Sequence, residues 1–281
     1  VSADGKAHAR RVEFREGIYW KNKEKVIPNP NNFQGTIVEF RPSYQIMGNI
    51  TTTCEDVMEL IATLLPLMKI GAIVKFHGEK NNGSIIDKTA INESGIVAFL
   101  VLRRNSPLIA PIVLSRTTGN MKADIAFTYD SNSLKEEDIL SFANTCPTIN
   151  NSTHVIGFLD GLFNYFKPYM NKIFLGKNSK LNIINNDIRV GLKAVVSVSH
   201  IEPMFSGQAK EIFSNKDIIP FIKDLMKQGL DEWAKANDGD LQKLCKYFKD
   251  IGNLRLKSDK DRVELSKKYV SSLTGLPKKY E

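Results

Sequence analysis

Between Val155 and Phe166 the chain places Val155, Phe158, Leu159, Leu162, Phe163 and Phe166 at the spacing of a single helical face. A helix with so apolar a face must lie on another layer of structure. Strands that could form that layer flank it. In "MKADIAFTYD", Met121, Ala123, Ile125 and Phe127 point one way and Lys122, Asp124 and Thr128 the other, the alternation of a half-buried strand. "GLKAVVSVSH" is apolar almost throughout and reads as a buried strand. "DILSFANT" is predicted to be the neighbour of "MKADIAFTYD", and "GIVAFLVLRR" reads equally as a buried helix or strand. Strands and helices alternate across two units, which implies α/β or α+β layering.

Upstream, "HARRVEFREG" and "GTIVEFRP" are predicted strands bounded by Gly and Pro. A helix follows, with Thr52 and Glu55 at capping-box spacing, Val57, Leu60, Ile61, Leu64, Leu65 and Met68 on one face, and Pro66 positioned to kink or end it. "GAIVKFHG" is a strand, and the polar "EKNNGS" a turn and a plausible domain boundary. Downstream, two helical patterns run from Asp217 to about Lys249 with a break near "NDGD". A charged helical tail spans Arg255 to Ser272, and "GLPKKY" breaks it. There is no internal repeat, and the short Asn-rich patches read as loops.

The 281 residues suffice for one large domain or two ordinary ones, and the sequence starts at Val1, as a piece of a longer chain would. A net charge of +8 permits an anionic partner without demanding one. No apolar run approaches a membrane span and no signal peptide opens the sequence. Three widely spaced cysteines, Cys54, Cys146 and Cys245, speak against a zinc site or a disulfide framework and fit a reducing cytoplasm. Four scattered histidines give no nucleophile motif, and neither a Walker A loop nor a strand followed by G-x-G-x-x-G is present. One stretch stands out chemically. In "HIEPMFSGQAKEIF", Gln208 and Lys210 follow Gly207 just after an apolar strand. A lysine ammonium and an amide donor there can grip a phosphate, and glycine lets a ligand approach the backbone. The same residues also suit an ordinary solvated loop.

Four landmarks carry a family likeness. "NDIRVGLKAVVSVSHIEPMFSGQAKEIF" resembles D-x-R-E-G-L, an apolar strand ending V-S-V, then P-x-F-x-x-Q-T-K. "SFANTCPTINNSTHVIGF" resembles S-F-x-N-x-I-x-T…G-G-T-H-x-x-G-F, "GTIVEFRP" resembles G-T-x-V-x-F-x-P, and "GLPKKY" resembles G-L-P-G-K-L. These patterns, in this order over nearly the whole chain, resemble the B subunits of DNA gyrase and topoisomerase IV, the ATPase subunits of type IIA DNA topoisomerases.

The resemblance implies an α+β fold. Residues 1–88 would be the end of a GHKL (Bergerat) ATP-binding sandwich, and 89–256 a transducer domain similar to ribosomal protein S5, with long C-terminal helices. Residues 257–281 would be a charged helix and linker toward a toprim domain. It further implies that Gln208 and Lys210 contact the ATP γ-phosphate, that Lys210 is catalytic, and that Thr36 helps recognise adenine. The general base and the Mg2+ ligand would lie outside this chain. Implied partners are DNA, the DNA-cleaving A-type subunit and a second copy through the ATPase domain. The implied compartment is the cytoplasm of a bacterium or phage-infected host, or an organelle matrix. In the family the last helices frame the cavity for the transported duplex, which makes Arg255, Lys257 and Arg262 candidate DNA contacts. Acids such as Asp259, Asp261 and Glu264 also fit a plain solvated helix.

Departures point to a divergent member. Ala209 replaces the threonine of Q-T-K, Val190 the glutamate of R-E-G-L, and Asn151 and Ser152 the two glycines before Thr153. His154 is expected to pack or cap the following helix rather than to act as a base. The competing readings are a MutL-like mismatch-repair ATPase and an S5-like nucleic-acid-binding module without ATPase activity.

Overall fold

The structure, a computed structural model, describes residues 2–5, 7–15, 18–19, 24–48, 51–103, 106–132, 137–176, 179–207 and 210–274; along the last helix, side chains are described only as far as Lys260. The chain divides into two compact units, residues 1–57 with Lys80–Asn82, and the remainder.

In the first unit, β1 (Ser2–Asp4), β2 (His8–Arg11), β5 (Lys25–Pro28) and β6 (Gln34–Thr36) form an antiparallel sheet in the order β5-β2-β1-β6. A small hairpin pairs β3 (Phe14–Arg15) with β4 (Ile18–Tyr19), and a short helix α1 spans Tyr44–Met47. Asn29, buried, clips its own turn by donating to the Phe33 carbonyl at 2.9 Å and accepting the Phe33 N–H at 3.0 Å. The strand expected over "GTIVEFRP" is shorter than its sequence suggests. β6 has only β1 beside it, and the described ladder runs from Asp4–Gln34 to Ser2–Thr36. Ile37, Val38 and Phe40 therefore continue exposed, without strand geometry.

Helix α2 (Cys54–Leu64) starts one residue later than its sequence signature implied. The Thr53 N–H donates to Asp56 Oδ2 at 2.8 Å and the Asp56 N–H donates to Thr53 Oγ1 at 3.2 Å, a capping box in the next register. Glu55, freed from that role, pairs with Lys80. Pro66 ends the α-helix, which tightens into a 3₁₀ turn at Leu65–Leu67.

The second unit takes in the rest of α2 and the strands of the hairpin β7 (Ile73–Glu79) and β8 (Ile85–Ile91); "EKNNGS" is the turn of that hairpin, and Lys88 falls within β8. Helix α3 spans Val97–Arg103, resolving the ambiguous segment. A five-stranded sheet follows, built from β9 (Ile112–Thr118), β10 (Met121–Tyr129), β11 (Asp138–Ala143), β12 (Cys146–Thr148) and, after helix α4 (Thr153–Pro168) and short helix α5 (Asn185–Arg189), β13 (Leu192–His200). Its order is β12-β11-β13-β10-β9. "DILSFANT" is therefore not the neighbour of "MKADIAFTYD": β13 lies between them, antiparallel to β10 and parallel to β11. β13 takes the centre with Leu192, Ala194, Val196 and Val198 buried on one face, and on the other Val195 buried between the half-buried Lys193 and Ser197.

The expected alternation holds in β10 only at its start. Ala123, Ile125, Phe127 and Tyr129 are fully buried on one face, but Ala126 and Thr128 are fully buried on the other. That second face is covered by Ile96 and by Leu100 of α3, which pack with Ala126, Phe142 and Val195. The first face is covered by α4 and by two long helices, α6 (Ile218–Ala236) and α7 (Asp238–Thr274), with the predicted break at Asn237. Phe158 of α4 meets Phe127 edge-on at 5.6 Å between centroids, and Phe166 meets Phe248 of α7 at 5.3 Å. Between β13 and α6 a small hairpin projects, β14 (Phe205–Ser206) against β15 (Ile212–Phe213).

Candidate functional site

The β14–β15 hairpin carries the expected phosphate-binding pair. Gln208, with Ala209, lies outside the described residues. Lys210 is exposed and holds a left-handed backbone, φ 54°, after Gly207 at φ 82°. The Lys210 N–H is directed at the Gly207 carbonyl at 3.5 Å. Lys210 begins the exit arm of a hairpin whose two arms are anchored in the sheet unit.

The anchoring explains much of the second landmark. The Asn144 side chain accepts the His200 N–H at 2.8 Å and donates to the His200 carbonyl at 2.9 Å, tying the β11–β12 turn to the end of β13. Ser141 Oγ, Thr148 Oγ1 and His154 Nε2 form a chain, with steps of 2.8 and 3.2 Å. Ser152, fully buried before α4, accepts the Phe213 N–H at 3.1 Å, and Thr153 Oγ1 donates to the Phe213 carbonyl at 3.2 Å. The Ile149 N–H donates to the Glu211 carbonyl at 2.9 Å. Thr153 and His154 thus hold the exit arm at Phe213, Ser141 and Thr148 support His154, and Asn144 ties the β11–β12 turn to β13; all five are structural groups. Ser152, where the family pattern has glycine, joins them. His154 packs, as expected. It is fully buried, its ring meets Phe213 edge-on at 5.5 Å, and burial pushes its pKa from 6.5 down to about 3. A neutral ring at that depth has no charge to offer a substrate. Its Nδ1 is the one buried side-chain polar atom without a hydrogen-bond partner among the described residues.

The entry arm is held by groups that sequence reasoning missed. Asn215 Oδ1 accepts the Met204 N–H at 2.6 Å and its Nδ2 donates to the Glu202 carbonyl at 3.0 Å. The Glu202 N–H donates to His200 Nδ1 at 3.0 Å, and His200 Nε2 lies 3.1 Å from Asp217 Oδ2. No motif marks this set; its signal was only a histidine and an asparagine flanking the hairpin.

Thr36 sits exposed at the end of β6, in the first unit. Arg255 is committed elsewhere. Its Nε donates to Asp187 Oδ1 at 2.8 Å and one terminal nitrogen to Asp187 Oδ2 at 3.0 Å and the Asn182 carbonyl at 2.9 Å. Asp187 is buried and also accepts the Ile184 N–H at 3.0 Å, which starts α5. A guanidinium so engaged is not free for a phosphate. The arginine and aspartate of "NDIRVGL" are structural in the same way, since Arg189 forks onto Glu137 with its Nε 2.7 Å from Oε2. Lys257 is exposed, and the Arg262 side chain lies outside the described ones. Burial pushes the Cys245 thiol up to about 12, which removes it as a nucleophile. Among the described residues no group of three His, Cys, Asp or Glu is placed to hold a metal ion. No described helix is long and apolar enough to cross a membrane.

A sequence profile described as DNA gyrase B matches residues 80–264. The chain belongs to the DNA gyrase B family. It is similar to the gyrase B protein of Thermotoga maritima, 30% identical across 99% of this chain and 44% of that one. The gyrase B protein of Chitinophaga japonensis is 28% identical across 87% of this chain and 52% of its own length. The corresponding topoisomerase 4 protein of Francisella tularensis is 25% identical over 99% of this chain and 43% of its own length. The chain spans about half the length of the curated relatives it matches. Among solved structures, the 43K ATPase domain of Thermus thermophilus gyrase B superposes with a TM-score of 0.75 at 21% identity, over 91% of this chain and 68% of that one. The ATP-binding domain of Francisella tularensis topoisomerase IV gives 0.69 at 22% identity, also over 91% of this chain. At such identities the likeness shows the fold, the α+β architecture of the gyrase B ATPase region.

Proposed function

We propose that this chain is the relay of a type IIA topoisomerase ATPase: Lys210, with Gln208, contacts the γ-phosphate of ATP, and the sheet unit passes that contact to the helices beyond. The observation that carries the reading is the Lys210 hairpin, an exposed lysine between two arms that are hydrogen-bonded into the sheet unit. A lysine so held stabilises negative charge as it builds on the transferring phosphoryl group. Thr36 would recognise adenine. The general base and the magnesium ligand would come from polypeptide outside this chain, with a second copy, the DNA-cleaving subunit and DNA as partners. Lys257 and Arg262 remain candidate DNA contacts on α7, while Arg255 serves the fold.

The test is Lys210→Ala in the assembled ATPase. Turnover falls by about 100-fold or more while nucleotide affinity changes little, because the contact strengthens in the transition state. Equal losses in affinity and turnover, or no loss, would overturn the role. The mutant keeps wild-type stability, since the side chain is exposed.

A further inference from the structure

The Lys210 hairpin has two arms, and side chains clip the backbone of each. The exit arm, Glu211 to Phe213, is held by Ser152 Oγ, Thr153 Oγ1 and the Ile149 N–H. The entry arm, Glu202 to Met204, is held by His200 and Asn215. Asn215, only 4% exposed, spans both Glu202 and Met204 with one amide. The Ser214 N–H donates to the Met204 carbonyl at 2.9 Å, so Asn215 sits where the two arms meet.

His200 completes the clip in one protonation state. The backbone N–H of Glu202 can only donate, so His200 Nδ1 accepts, and the Asn215 amide nitrogen lies on the same side at 3.4 Å. The ring proton is therefore on Nε2, directed at Asp217 Oδ2. Asp217 immediately precedes α6, so the clip links the end of β13, the hairpin and the start of α6. Among the described residues, none of these side chains is hydrogen-bonded to Lys210. Their effect on a ligand at Lys210 passes through the direction in which the hairpin points.

We propose that Asn215 and His200 are positioning residues for Lys210: they fix the entry arm of the hairpin, and so the placement of the ammonium against a terminal phosphate. This rests on the reading of Lys210 as a γ-phosphate contact. Misplacing a catalytic group by about 1 Å is enough to slow a reaction strongly without abolishing binding.

The experiment is a set of variants in the assembled ATPase, with steady-state ATP hydrolysis, nucleotide affinity and melting temperature measured on each. Asn215→Ala and His200→Leu each lower kcat about tenfold and leave nucleotide affinity within about twofold. His200→Asn, which keeps an acceptor near the Nδ1 position, restores most of the turnover. Combining Asn215→Ala with Lys210→Ala gives no further loss beyond Lys210→Ala alone, because the clip acts through the lysine. If Asn215→Ala does not fold, Asn215→Asp takes its place, keeping the acceptor for Met204 and losing the donor to Glu202. The proposal is overturned if Lys210→Ala stops turnover while Asn215→Ala and His200→Leu lower only the melting temperature, or if the double variant multiplies the two losses. If Lys210→Ala itself leaves turnover intact, the γ-phosphate reading fails and the positioning role goes with it.

Discussion

The start of α4 and its middle turns are held by opposite chemistry. Its start meets the Lys210 hairpin through Ser152, Thr153 and His154, all polar. One turn further on, Gly157 and Gly161 bring α4 against α6 with almost no side chain between them: a Cβ on Gly157 would lie 3.2 Å from the Ile219 backbone. A dry seam is non-directional and rewards contact area. Hydrogen bonds to buried groups are directional, and their loss is costly because the orphaned partner stays desolvated. The seam therefore secures the helix layer, while the polar end fixes where a small hairpin points. A relay needs both.

The largest test of this division is at Arg255, where a polar clip holds the far helix α7 rather than the hairpin. Asp187 is 1% exposed and takes two of its hydrogen bonds from the guanidinium. Arg255→Ala leaves that carboxylate buried without its counter-charge, which costs about 3–5 kcal/mol. Urea unfolding checks it. Asp187→Asn in the same background recovers part of the loss, since a neutral amide tolerates burial better than an unpaired carboxylate. A loss under about 1 kcal/mol for Arg255→Ala would erase the distinction between polar clips and the seam.

The difference between the two regions also sets what the sequence could disclose. The apolar face of α4 was legible because Val155 through Phe166 repeat at a local period. The centrality of β13 was not, since strand order depends on partners far along the chain. The capping box slipped by one residue because three successive threonines and a Glu-Asp pair offer two registers of equal spacing. Arg255 read as a surface cation because its partner lies 68 positions away. Lys210 stood out by its place after Gly207 and an apolar strand, but the same residues suited a solvated loop, and only the landmark around it pointed to a γ-phosphate. The clip of Asn215 and His200 left no pattern, for a single asparagine and histidine carry no period.

His154 lies where the two regions meet, on α4 and against Phe213 of the hairpin. Its pKa is about 3 in the folded chain and about 6.5 unfolded, the shift caused by burial. The unfolded chain therefore takes up the proton first. Stability is complete above about pH 6.5 and falls as pH drops toward about 3. Between pH 7 and pH 5 this one group costs the fold about 2 kcal/mol. Urea unfolding at the two pH values shows that extra loss in the wild type and not in His154→Gln, which has no proton to gain. If both lose stability equally, another group governs the acid response, and the ring is not the desolvated neutral imidazole that its setting requires.

The smallest effect tests the seam by its sign. A Cβ on Gly161 would lie 2.7 Å from Met226 Cβ and 2.8 Å from its Cγ. Met226 Cβ is fixed to the α6 backbone, so no rotamer change removes the first contact, and the helices must part. Alanine gains about 1 kcal/mol over glycine in a helix interior. Overpacking a close contact costs about 1–3 kcal/mol. The cost exceeds the gain, so Gly161→Ala destabilises by about 1 kcal/mol. Gly239, in the first turn of α7, meets nothing within 4 Å. Gly239→Ala keeps the propensity gain, reduced near the helix end, and stabilises by about 0.5 kcal/mol. Opposite signs in thermal unfolding identify contact, and not propensity, as the reason glycine is used in α4. If both variants melt higher than the wild type, α4 and α6 are not in direct contact at Gly161, and the fold there relies on the same directional bonds as the hairpin.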